Sequence, residues 1–154
     1  IDYLNYVIVP ALFLYEADLL PATFRLAGPI LITLTSAYQF TQADAKTNDH
    51  YFTGFPSYWN VMAFYMLIMG MNPWVNLFFV VLLCILVFVP VKYVYPSRTM
   101  RLQRLTVILT FIWASLGIVG LFQYPHVSAW IVWASFAYIG YYTAISLFPN
   151  WASK

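Results

Sequence analysis

Hydrophobic positions in this chain come in long unbroken runs rather than in alternation. Six apolar segments stand out, at about Tyr3–Tyr15, Ala22–Phe40, Ser57–Gly70, Trp74–Tyr95, Leu105–Phe122 and Val127–Phe148. Runs of this length without period-two alternation predict helices and argue against an outer-membrane barrel. The first segment is short for a membrane crossing, and a helix beginning upstream of Ile1 would supply the missing turns. Gly28–Pro29 predicts a kink inside the second segment, and Pro90 falls near the end of the fourth. The expected fold is an all-α polytopic membrane protein. It has six transmembrane helices in one domain over residues 1–154.

Residues 41–60, TQADAKTNDHYFTGFPSYWN, form the longest polar run. Asp44, Lys46, Asp49 and His50 are followed by Gly54, Pro56, Tyr58 and Trp59, at the start of the third segment. A polar loop punctuated by Gly and Pro that feeds an apolar helix suits water-facing chemistry. It suits a plain solvated connector equally well.

Composition sharpens the membrane reading. Of 154 residues, 63% are hydrophobic and 8% charged, against roughly 25% charged in soluble domains. The net charge of +2 is too small to point to nucleic acid. Cys84, a lone cysteine in an apolar run, has no intrachain disulfide partner. Six of the seven basic residues (Lys46, Lys92, Arg98, Arg101, Arg104 and Lys154) fall on alternate connections that share one side, with Arg25 alone on the other. The positive-inside rule puts the six, and the C-terminus, in the cytoplasm of a multi-pass inner-membrane protein. Asp2 falls on the same side. Trp59, Trp74, Tyr95, Tyr124, Trp130 and Trp151, near segment ends, suit interfacial aromatic belts.

The candidate chemistry gathers on that basic face. A carboxylate at the water end of a helix, as at Asp2, can act as a general base or metal ligand, or simply as a helix cap. Lys46, Asp49 and His50 read as a polar site or as a loop ion pair. Arg98, Arg101 and Arg104, three apart, can hold a phosphate or serve only as topology signals. Arg25 is expected to snorkel to the opposite interface, and His126 to be structural. No glycine-rich nucleotide loop, zinc-type Cys/His spacing or serine-nucleophile motif is present.

Three segments, IDYLNYVIVPALFL (1–14), SAYQFTQADAKTNDHYFTGFPSYWNVMAFY (36–65) and LVFVPVKYVYPSR (86–98), resemble the bacterial phosphatidylcholine synthases, a branch of the CDP-alcohol phosphatidyltransferase family. The resemblance runs through the whole chain, and GFPSYWN is its most specific part. It implies transfer of a phosphatidyl group from CDP-diacylglycerol to choline, with release of CMP. In that family, aspartates on two adjacent helices bind two divalent metals, Mn2+ or Mg2+, and the last of them is the base. Asp2 matches that last aspartate, as catalytic residue and metal ligand. The remaining aspartates would lie upstream of Ile1, so the resemblance implies a C-terminal portion of a roughly eight-helix enzyme, inactive alone. Lys46, Asp49, His50, Lys92, Arg98 and Arg101 would meet the polar parts of the substrates. Choline's quaternary ammonium asks for aromatic faces, and Tyr51, Tyr58 and Trp59 are the candidates. The implied partners are the two substrates, membrane lipids and a second copy in a homodimer. Serine or another alcohol as acceptor, and a non-catalytic bundle or transporter segment, are the other readings. A transporter would place polar groups at mid-membrane, whereas here the charges sit at segment ends.

Overall fold

The computed structural model describes residues 1–42, 51–94 and 103–147. Six helices occupy the six apolar segments. They are α1 (Val9–Glu16, continuing a π-helical turn over Leu4–Ile8), α2 (Ala27–Thr41), α3 (Trp59–Met69), α4 (Pro73–Phe88), α5 (Gln103–Gln123) and α6 (Ala129–Leu147). Two three-residue strands, β1 (Tyr51–Thr53) and β2 (Lys92–Val94), pair with each other. By its contacts the chain falls into two compact units, Ile1–Ala45 with Thr53–Val91, and Lys46–Phe52 with Lys92–Lys154.

Among the described residues one helix, Gln103–Gln123, is long and apolar enough to cross a membrane. The 16 residues of α4 extend roughly 24 Å, less than a hydrocarbon core of about 30 Å. Two boundaries differ from the sequence expectation for physical reasons. Gly28–Pro29 makes no mid-helix kink: Ala22–Phe24 is a separate 3-10 turn, and α2 begins at Ala27. Pro29 thus occupies a first turn, where its missing N–H costs nothing. The fourth segment stops at Phe88 rather than Tyr95. Pro90 cannot supply the amide that would bond the Leu86 carbonyl and extend the helix.

In the first unit, a core of Val7, Ala11, Leu14, Ile32, Trp59, Met66, Val80 and Cys84 lies between α1, α2, α3 and α4. Polar groups are buried with it, and most have partners, although the Asn76 side-chain oxygen has none. On α2, the Thr35 hydroxyl donates to the Leu31 carbonyl (2.8 Å) and reaches the Cys84 sulfur of α4 (3.4 Å). Such bonds cross a helix interface at little cost, because the buried groups would otherwise be orphaned.

At one end, α3 closes on Gly70 in the left-handed conformation (φ 54°). α4 then opens on Asn72, whose side-chain oxygen accepts the Trp74 N–H (2.9 Å), with Pro73 at its first position. Arg25 sits at this same end and does not simply snorkel outward. Its Nε donates to the Tyr15 carbonyl at the end of α1 (2.8 Å), its guanidinium pairs with Asp18 (2.6 Å), and it lies over the Tyr15 ring (4.8 Å). It caps α1 as a cation at a helix C-terminus.

The second unit is built on the antiparallel α5–α6 pair. Thr106 and Thr110 of α5 share hydrogen bonds with the Tyr141 and Tyr138 hydroxyls of α6 (2.8 and 2.7 Å), and Trp113 stacks on Tyr138. In the connection between them, the Gln123 side chain accepts the Ser128 N–H at the start of α6 (2.9 Å), and His126 bonds the Gln123 carbonyl through its backbone. That gives His126 a turn-forming position, as expected.

Candidate functional site

The end of the first unit opposite Arg25 brings together the start of the first helix, the ends of α2 and α4, and the start of α3. Asp2 lies there, exposed, in the first turn. That turn is α-type, with the Asn5 N–H on the Ile1 carbonyl (3.1 Å). It then widens, and the Val9 N–H reaches back five residues to the Leu4 carbonyl. Such π turns concentrate at functional sites because they redirect side chains within an otherwise regular helix.

Aromatic rings gather at this end of the unit. The Tyr3 hydroxyl donates to the Thr33 carbonyl of α2 (2.7 Å), and its ring meets Phe40 edge to face (5.3 Å). Tyr6, on the π turn, meets Tyr58 at the head of α3 (6.1 Å, interplanar 66°). Tyr38 of α2 contacts Phe88 at the end of α4 (4.9 Å).

The segment Gly54–Trp59 is bolted to this end rather than left as a solvated loop. The Gly54 amide bonds the Val91 carbonyl (2.9 Å), and the Phe55 amide bonds the Leu86 carbonyl (3.0 Å). The latter is the acceptor that Pro90 leaves unmatched. Gly54 has φ 78°, and a Cβ there would run into the Val87 carbonyl oxygen. Glycine is therefore required twice over, by conformation and by space. Ser57 also takes a positive φ of 53°. Its hydroxyl donates to the Gln39 side-chain oxygen (2.6 Å), and the Trp59 indole N–H donates to the Ser36 hydroxyl (2.8 Å). Ser36, Ser57 and Trp59 are all fully buried.

The described residues hold some of those singled out from the sequence. Asp2 and Tyr58 share this end, within one compact unit. Trp59 is there too, but enclosed: its ring packs on Phe55 (5.4 Å) and its N–H is taken by Ser36. The expectation that it sits in an interfacial belt is corrected accordingly, because its one polar atom is satisfied inside the protein. Trp74, Tyr124 and Trp130, by contrast, are exposed as a belt requires. Lys92 lies in β2 and Tyr51 in β1. Lys46, Asp49, His50, Arg98 and Arg101 lie outside the described residues. Sequence reasoning missed Tyr6, and nothing in its spacing signals the π turn that carries it.

Among the described residues, no three His, Cys, Asp or Glu side chains come together to hold a metal ion. A divalent cation takes several oxygen ligands, so Asp2 can supply one ligand of such a site and not the site itself.

Comparison with known proteins decides the family. The chain is 43% identical to a phosphatidylcholine synthase of Legionella pneumophila, over 98% of this chain and 62% of that protein. It is 42% identical to a phosphatidylcholine synthase of Legionella bozemanae, over 98% of this chain and 73% of that one. The chain belongs to the phosphatidylcholine synthase family. A phosphatidylcholine synthase of Borreliella burgdorferi is 39% identical over 79% of the chain and 52% of its own length. The chain thus spans between about half and three quarters of these relatives. No protein-family model and no solved structure matches it. Family membership and the apolar α5 together make this a membrane protein.

Proposed function

We propose that this chain is part of an enzyme that transfers the phosphatidyl group of CDP-diacylglycerol to choline, giving phosphatidylcholine and CMP. The observation that carries the reading is the likeness to phosphatidylcholine synthases over 98% of the chain. The geometry around Asp2 is consistent with it. An exposed carboxylate at a helix start is available to take a proton. In the reaction, choline's hydroxyl oxygen attacks the β-phosphorus, and the bond from that phosphorus to the bridging oxygen breaks. CMP leaves with the electron pair, and the hydroxyl proton passes to Asp2. A positioned base of this kind contributes roughly a hundred- to ten-thousandfold.

Several finer features belong to the same proposal. All six helices span or enter the bacterial inner membrane, with Asp2 and the C-terminus on the cytoplasmic side. Lys46, Asp49, His50, Lys92, Arg98 and Arg101 contact the polar parts of the substrates, with arginine and lysine holding phosphate oxygens. Mn2+ or Mg2+ is bound with Asp2 as one ligand, and the enzyme is a homodimer.

The test is product identity. The complete product of the gene encoding this chain is expressed in a host that makes no phosphatidylcholine. Its membranes are supplied with CDP-diacylglycerol, Mn2+ and either labelled choline or labelled serine. Labelled phosphatidylcholine from choline alone is expected. Product from serine and not choline would keep the transfer chemistry and overturn the acceptor, and no lipid product from either would overturn the enzymatic reading.

A further inference from the structure

Three tyrosines, Tyr3, Tyr6 and Tyr58, share the end of the unit that carries Asp2. Tyr3 is tied down, its hydroxyl on the Thr33 carbonyl and its ring against Phe40. Tyr6 and Tyr58 turn their rings toward each other at 66° with centroids 6.1 Å apart, which makes two walls of a corner. Tyr6 keeps 37% of its surface exposed and Tyr58 is half-buried, so the corner has an open side. Tyr6 follows Asp2 by four positions, which puts the two on one helix face about 6 Å apart along the axis. The π turn carries Tyr6, and Tyr58 is the residue before α3, set by the bolted Gly54–Trp59 segment. Two irregular backbone features thus converge on one pair of rings.

Resting on the reading above, we propose that Tyr6 and Tyr58 form the contact for the acceptor's quaternary ammonium, and that Tyr6 is a specificity-determining residue. A methylated ammonium donates no hydrogen bond and is held by aromatic faces. A short ethylene spacer separates that nitrogen from the hydroxyl that must lose its proton. An aromatic corner one helical turn from a carboxylate fits such a molecule: cation on the rings, hydroxyl toward Asp2. A primary ammonium is more strongly hydrated and gains less from the rings, so the corner selects choline over ethanolamine.

The experiment measures steady-state kinetics of the complete gene product in detergent–lipid micelles, varying choline and CDP-diacylglycerol separately, for wild type, Tyr6→Leu and Tyr6→Phe. Tyr6→Leu is expected to raise the KM for choline roughly tenfold, the worth of a desolvated cation–π contact. Its KM for CDP-diacylglycerol should stay within about twofold of wild type, a smaller change than one ring contact is worth. The preference for choline over ethanolamine should fall with it. Tyr6→Phe, which keeps the ring, should remain near wild type. If Tyr6→Leu does not fold, Tyr6→Met, of similar reach and without a ring, carries the same prediction. An active wild type with an unchanged choline KM in the ringless variant would overturn the contact alone. Equal loss toward both substrates together with a lower melting temperature would reduce Tyr6 to packing. A wild type that makes no phosphatidylcholine would remove the acceptor, and this proposal with it.

Discussion

The two ends of the first helical unit are closed by different kinds of chemistry. The Arg25 end uses local devices: a left-handed Gly70, an Asn72 cap followed by Pro73, and a cation over the last turn of α1. Most of their partners are near in sequence, Arg25 reaching back ten positions to Tyr15, although the Asn76 side chain at this end also donates to the Leu19 carbonyl across 57 positions. The Asp2 end uses long-range ones. A π turn, two positive-φ residues, and hydrogen bonds from Ser57 and Trp59 back to α2 fix the chain there. Backbone strain held in place by buried partners is a mark of sites that must keep one geometry. Asp18 at the Arg25 end also takes a positive φ, of 51°, so what sets the carboxylate end apart is its π turn and the buried side-chain partners of Ser57 and Trp59.

Substitutions at the two ends should therefore differ in kind and size. The largest effect is expected on activity: Asp2→Asn should lower the rate of lipid synthesis by about a hundredfold or more, measured in membranes of the complete gene product. Next comes Gly54→Ala, which adds a methyl group against the Val87 carbonyl at a positive φ. It should cost roughly 1–3 kcal/mol in stability, read as a lower melting temperature in detergent. Gly70→Ala, also at positive φ but with open space around it, should cost only about 1 kcal/mol. Equal losses at the two glycines would remove the distinction between the ends.

The buried bonds offer a finer comparison. Ser36→Ala leaves the Trp59 indole N–H buried without its acceptor and should cost about 1–3 kcal/mol. A double-mutant cycle with Trp59→Phe would show coupling between the two positions. The smallest effect is expected for Asp18→Asn. Its carboxylate is 72% exposed beside Arg25, and surface ion pairs contribute about 0–1 kcal/mol. A loss at Asp18 as large as that at Ser36 would mean the Arg25 end depends on its ion pair as much as the Asp2 end depends on its buried bonds.

The α3–α4 turn was more legible in the sequence than the Asp2 end, for a reason in the physics, while the pairing of Arg25 with Tyr15 and Asp18 was not. Gly70, Asn72 and Pro73 signal helix ends by their own conformational preferences, and the six helices follow from apolar runs. Gly54–Trp59 reads as a polar connector until its partners are known. Its burial depends on Ser36 and Gln39, some twenty positions earlier, and on a carbonyl freed by Pro90, more than thirty positions later. No local preference encodes such pairings. Asp2 was recognisable by resemblance, while the π turn that sets Tyr6 leaves no periodic trace. The fourth segment was overextended to Tyr95 because apolar continuity hid the stop imposed by Pro90.

On the proposed function, the Asp2 end does chemistry and the framework beneath it holds shape. The most direct test is to measure phosphatidylcholine synthesis and thermal unfolding together for Asp2→Asn in the complete gene product. Synthesis should fall by about a hundredfold or more with a melting temperature equal to wild type, since Asp2 is exposed. Synthesis that persists in Asp2→Asn, or that disappears only because the protein no longer folds, would contradict the proposed role of Asp2.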